Sequence, residues 1–200
     1  MKQQSDITES ALLVIDVQDS FKAGPRWQRR NNPAFEQNMS RLIAAYRSAR
    51  LPIYFFLDSD DDEGFQPESP YFKLMEFIKA ERGEPVLVKT TRNCFTSTGL
   101  DALLRQKGIR RVAVTGIKTE QCCETTARVA SDLGYEVDFV TEATLTFPIP
   151  HPGGEEELSS EEVVGRTEYA LRDRFARIVT VDALLAELKG TGRLCGESSS

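Results

Sequence analysis

Apolar positions along the chain fall into two alternating rhythms. Short continuous runs recur as ALLVID (11–16), PIYFFL (52–57), PVLV (85–88), RVAVTG (111–116), EVDFVT (136–141) and ARIVTV (176–181). They do not alternate with polar residues, which is the pattern of parallel strands covered on both faces. Between them lie segments of helical period: AFEQNMSRLIAAYRSAR, YFKLMEFIKAERG, STGLDALLRQKG, TEQCCETTARVASDLG and SEEVVGRTEYALRDRF, with DALLAELKG last. Glycines 83, 108, 134 and 190 stand where helix C-caps are expected.

Six strands alternating with helices predict an α/β fold. Right-handed crossovers turn such a series into a doubly wound, three-layer α/β/α arrangement around a six-stranded parallel sheet, with strand order 3-2-1-4-5-6. A ligand site is expected at the carboxyl ends of the strands, near the switch point between strands one and four. Residues 1–190 are expected to form one domain and 191–200 a disordered tail. The turn-rich, acidic segments 58–70 and 147–160 follow strands directly and are expected to be loops at that edge.

Composition narrows the partners. The 200 residues are 40% hydrophobic and 28% charged, with a net charge of -6, so no basic stripe is offered to nucleic acid or to anionic lipid. No run is long and apolar enough to cross a membrane, and MKQQSDITES is polar where a secretory signal would be apolar, which predicts a cytoplasmic protein with a small-molecule substrate. In that compartment the four cysteines 94, 122, 123 and 195 are expected as free thiols. The acidic group Asp58, Asp60, Asp61, Asp62 reads as a solvated loop, and with His151 as the sole histidine neither a metal nor another cofactor is expected.

Three reactive residue types end or follow strands: Asp16 after the first, Lys89 after the third, Cys122 beyond the fourth. With Thr119 as N-cap, Cys122 is the third helical residue, where unpaired backbone N–H groups favour a thiolate and can hold an oxyanion. A nearby Lys89 ammonium would lower the thiol pKa further. Cys123 points about 100° away around the helix and suits the core. Strand three lies two spacings, roughly 10 Å, from strand one, so only a side chain as long as lysine spans the gap.

The blocks LLVIDVQDSF, VKTTRNCFTSTGL and VTGIKTEQCCETTARVASDLGYEV resemble, in that order, the motifs of the isochorismatase-like cysteine hydrolases, the superfamily of nicotinamidases and N-carbamoyl amidohydrolases. The resemblance runs from residue 11 to about residue 188. At residues 93–95, where Ser-Ala-Phe is common, it keeps Phe95 and departs at Asn93 and Cys94, and it lacks the histidines with which many relatives hold a metal. The resemblance implies Cys122 as nucleophile, Asp16 as the base that later serves as acid, and Lys89 as the group holding their charges. It also implies a cis peptide between Ile117 and Lys118 that directs the Lys118 N–H, with that of Cys122, at the substrate oxygen. Gln18, Phe21, Trp27 and Phe95 are candidates for the pocket wall, against a purely structural role in packing. The implied activity is hydrolysis of an amide or carbamoyl carbon–nitrogen bond, in a homo-oligomer that is a dimer or tetramer. A vinyl-ether hydrolase acting through Asp16 alone, or a catalytically idle ligand-binding module, stays open.

Overall fold

The computed structural model describes residues 6–194, with side chains through residue 190. Eight strands are present: β1 (Ser10–Ile15), β2 (Ile53–Asp58), β3 (Val86–Lys89), β4 (Arg111–Ile117), β5 (Glu136–Leu145), β6 (Ile149–Pro150), β7 (Glu157–Leu158) and β8 (Arg177–Ile178). Five α-helices accompany them: α1 (Phe35–Ser48), α2 (Leu100–Gln106), α3 (Glu124–Asp132), α4 (Ser160–Leu171) and α5 (Val181–Leu194). Six strands form one parallel sheet in the order β3-β2-β1-β4-β5-β8, and β6 pairs with β7 in a separate antiparallel ribbon. Counted without the ribbon, this is the expected 3-2-1-4-5-6.

The strand β1 shows why its run is apolar without interruption. Leu12 and Val14 enter one core layer, which they share with Met39 and Leu42 of α1 and Leu184 and Leu188 of α5. Ala11, Leu13 and Ile15 enter the other, with Leu100 and Leu104 of α2, Ala127 of α3 and Leu171 of α4. Each face of the sheet is thus covered by helix, and successive side chains are buried on opposite sides.

Several elements differ from expectation. Residues 71–83 are not helical. Met75 N–H donates to Val17 O, Asp19 N–H to Lys73 O, and Gln18 forms an antiparallel bridge with Leu74. The backbone of this segment finds its partners in the chain after β1, while Met75 and Ile78 are buried, so its apolar residues serve the core without a helical repeat. The sixth run pairs over only two residues, and Val181 already begins α5. That helix passes through Gly190 to Leu194, so residues 191–194 are helical and not a disordered tail; Cys195 and the rest lie outside the described residues. The strand β5 runs on to Leu145, and segment 147–160 contains the ribbon.

Two places secure the sheet's ends. At the amino edge the Arg111 side chain is buried against Asp138 at 2.5 Å and Glu187 at 2.8 Å, and Arg177 binds the same two carboxylates at 2.8 and 2.9 Å. At the carboxyl edge, β4 presses against β1 at Gly116. Its φ is +124°, and a Cβ placed there would lie 1.9 Å from Ile15 O. Gly116→Ala therefore meets both a backbone clash and a disfavoured conformation. We expect it to lose more than about 3 kcal/mol in urea unfolding or to be insoluble; a loss under 1 kcal/mol would contradict this packing.

Candidate active site

The carboxyl ends of four neighbouring strands converge. Immediately after β1, Asp16 adopts a left-handed conformation, φ 53°, and is fully buried. Asp58 is the last residue of β2 and pairs in register with Lys89, the last residue of β3. Beyond β4 the Ile117–Lys118 peptide is cis. The chain then enters a π-helical turn, Thr119–Cys123, that leads into α3 and carries Cys122. The residue ahead of that turn is Lys118, in extended conformation, so Thr119 is not its N-cap; the Thr119 hydroxyl donates instead to Thr144 Oγ1 at 2.8 Å.

Lys89 is the hub of this convergence. Its Nζ donates to Asp58 Oδ1 at 2.8 Å, to the Thr91 carbonyl at 3.1 Å and to Cys122 Sγ at 3.4 Å. An ammonium has three N–H groups, and these contacts use all of them. Asp16 Oδ2 lies 2.9 Å from the same nitrogen, so the ammonium is ion-paired with both carboxylates. Donor atoms of Asp16, Asp58 and Cys122 lie within 4.8 Å of one another, and the Lys89 ammonium contacts all three, in the place a metal ion would need.

Electrostatics follow from this burial. Loss of water pushes the Asp16 carboxyl up to about 7; Lys89 opposes the rise and Asp58 adds to it. Burial works against the Lys89 ammonium, but Asp16, Cys122 and Asp58 outweigh it and hold its pKa above the ordinary value. Burial also pushes the Cys122 thiol up, and the repulsion of Asp16 reinforces this beyond what Lys89 offsets. The expectation of a resting thiolate is thereby corrected. Cys122 is 4% exposed, and the upward shift of its thiol favours the protonated form, beside a carboxyl raised to about 7.

A narrow pocket of about 50 Å3 reaches Cys122 from solvent. Phe21 and Phe65 give it aromatic surface, their rings edge to face at 5.0 Å, and Arg26, Arg92 and Lys118 give it cations. Of the four expected wall residues only Phe21 lines it. Gln18 is fully buried and clamps β2: its Oε1 accepts from Asp58 N–H at 2.6 Å, and its Nε2 donates to Asp58 O at 3.1 Å. Trp27 packs over Phe147 with Arg30 on its ring. Phe95 stacks on Tyr135 in the α2/α3 core layer. Cys123 is buried in that same layer, and His151 is exposed in the ribbon turn, away from the pocket.

Asp58 was hidden by the reading of residues 58–62 as a solvated loop. It is buried, with Arg92 at 3.1 Å on its second oxygen, and Arg92 is held in turn by Asp60 at 2.5 Å. Extending the second strand by one residue would have put this carboxylate at the same edge as Asp16 and Lys89. Arg26 and Phe65 carry no local sequence signal, because loop geometry brings them to the pocket.

The fold has known counterparts. Residues 10–160 match the isochorismatase domain family model. An uncharacterized isochorismatase family protein, YrdC of Bacillus subtilis, is 27% identical over 88% of this chain and 95% of its own. Nicotinamidase 3 of Arabidopsis thaliana is 30% identical over 90% of this chain and 89% of its own. The crystal structure of a putative hydrolase of the isochorismatase family from Chromobacterium violaceum superposes with a TM-score of 0.86 at 29% identity, covering 95% of this chain and 97% of that one. With its sheet order and its sequence in agreement, the chain belongs to the isochorismatase family of hydrolases.

Proposed function

We propose that the protein is a cysteine-dependent hydrolase of a small amide or carbamoyl compound, working through an acyl-enzyme on Asp16, Lys89 and Cys122. The observation that carries this reading is the Lys89 Nζ, 2.9 Å from Asp16 Oδ2 and 3.4 Å from Cys122 Sγ, where a solvent-reaching pocket ends. The nicotinamidase relative gives it chemical direction, since that protein's name describes the cleavage of an amide.

The steps follow from the protonation states. Asp16, ionised, takes the thiol proton as sulfur attacks the carbonyl carbon, so no free thiolate need accumulate. Lys89 stays charged throughout and compensates the negative charge that passes between the carboxylate and the sulfur. The backbone N–H groups of Lys118 and Cys122 are assigned to the oxyanion of the tetrahedral intermediate. Asp16 then gives its proton to the departing nitrogen, the carbon–nitrogen bond breaks, and ammonia or an amine leaves. Water, losing a proton to the same carboxylate, attacks the thioester; the sulfur regains that proton and the acid is released.

Two measurements test this. With a panel of primary amides and N-carbamoyl compounds and ammonia release as the readout, Cys122→Ala should lower kcat about a thousandfold or more at unchanged fold. Retention of most activity on any substrate of the protein would instead favour direct protonation by Asp16, as in vinyl-ether cleavage. The second is the pH profile. Because the Asp16 carboxyl is raised to about 7 and only its ionised form is a base, kcat/KM should climb about tenfold per unit below that pH and level off above it. A profile flat from about pH 5 to 8 would remove Asp16 from this role.

A further inference from the structure

Arg26 and Lys118 both line the pocket that ends at Cys122, and among the described residues neither has a carboxylate within ion-pair distance or a hydrogen-bond partner for its charged group. The other pocket cations are committed: Arg92 to Asp58 and Asp60, and Lys89 below them to Asp16 and Asp58. The remaining pocket carboxylate, Asp62, is exposed on the rim. Glu120, whose charge also acts on Lys118, accepts a hydrogen bond from Thr146. Arg26 is held in place by aromatic faces, with its guanidinium 5.4 Å from the Phe21 ring and 5.6 Å from that of Phe65. Lys118 is half-buried, and burial first, then the charge of Arg26, holds its pKa below the ordinary value. Two half-buried cations therefore share the pocket, and among the described residues neither is ion-paired. Such an arrangement costs free energy in the empty protein and recovers it when an anion enters.

We propose that Arg26 and Lys118 form an anion-binding subsite, and that the preferred substrates carry a carboxylate or equivalent negative group one or a few atoms from the carbonyl that Cys122 attacks. This rests on the amidase reading for the word substrate, but the subsite can be probed without turnover. The Phe21 and Phe65 rings line the same pocket as the two cations and Cys122, which favours a flat or short apolar connector between the anion and the reacting carbon. Arginine offers a carboxylate two parallel N–H donors, and the lysine adds a point charge beside it.

Iodoacetate and iodoacetamide provide a matched pair of probes, anionic and neutral. Each alkylates sulfur by the same step: an S–C bond forms, the C–I bond breaks, iodide leaves and the thiol proton passes to Asp16. Rates of Cys122 labelling at about pH 8.5, located by peptide mass mapping and divided by the rates with glutathione, report the subsite alone. The iodoacetate-to-iodoacetamide ratio should exceed that of glutathione about tenfold or more, the scale of one partly screened charge contact. It should collapse toward the glutathione value in Arg26→Gln/Lys118→Gln and be largely kept in Arg26→Lys. A wild-type ratio equal to that of glutathione, a ratio indifferent to the double substitution, or no labelling by either reagent each overturns the proposal. Ammonia release from N-carbamoylglycine and from its neutral amide separates the two readings. An anion-selective pocket that releases ammonia from neither sinks the amidase and leaves the subsite standing. Equal kcat/KM for the two sinks the subsite and leaves the amidase.

Discussion

One buried ammonium makes the rest of the site possible. Asp16, Asp58 and Cys122 are drawn together by strand ends, and without a cation two carboxylates and a sulfur at this spacing would repel or take up protons. Lys89 supplies that cation from the outer strand of the trio, lying across the end of β2 to reach Asp16 beyond it. Its three N–H groups go to Asp58, Thr91 and Cys122. Asp16 lies 2.9 Å from the same ammonium, and burial raises its carboxyl to about 7, where it can accept and return a proton. A better satisfied Asp16 would be a weaker base.

The backbone holds this arrangement as firmly as the side chains do. Positive φ at Asp16, the close approach of Gly116 to Ile15 and the π turn under Cys122 all fall at the same sheet edge. Each is disfavoured alone and is kept by the two packed layers on either side of the sheet. Gln18 extends the same logic to β2, since its amide replaces a missing strand partner on both the N–H and the carbonyl of Asp58. Residues that look like pocket formers in the sequence can thus be scaffolding one layer below it.

Much of this was readable before any coordinates. Uninterrupted apolar runs gave away a sheet buried on both sides, and the spacing of Asp16, Lys89 and Cys122 relative to those runs placed them at one edge. What escaped were properties that depend on distance through space. Periodicity alone made a helix of residues 71–83, because apolar residues that pack beside the chain after β1 happen to recur at near-helical intervals. Charge count made a solvated loop of Asp58, because nothing local distinguishes it from Asp60 to Asp62. The thiol was expected to ionise because the helix start and Lys89 were weighed without the burial that surrounds them or the carboxylate beside them. Trp27 and Phe95, which the sequence left open between pocket wall and packing, lie against Phe147 and Tyr135.

The Arg111 cluster shows how the molecule divides its labour. It begins β4 and joins Asp138, Arg177 and Glu187 at the opposite end of the strand from the residues that follow Ile117, roughly 20 Å away at the rise of a seven-residue strand. Charges that far apart barely feel one another in salt water. The two charged clusters therefore act as separate centres, and a change of charge at one leaves the field at the other nearly untouched.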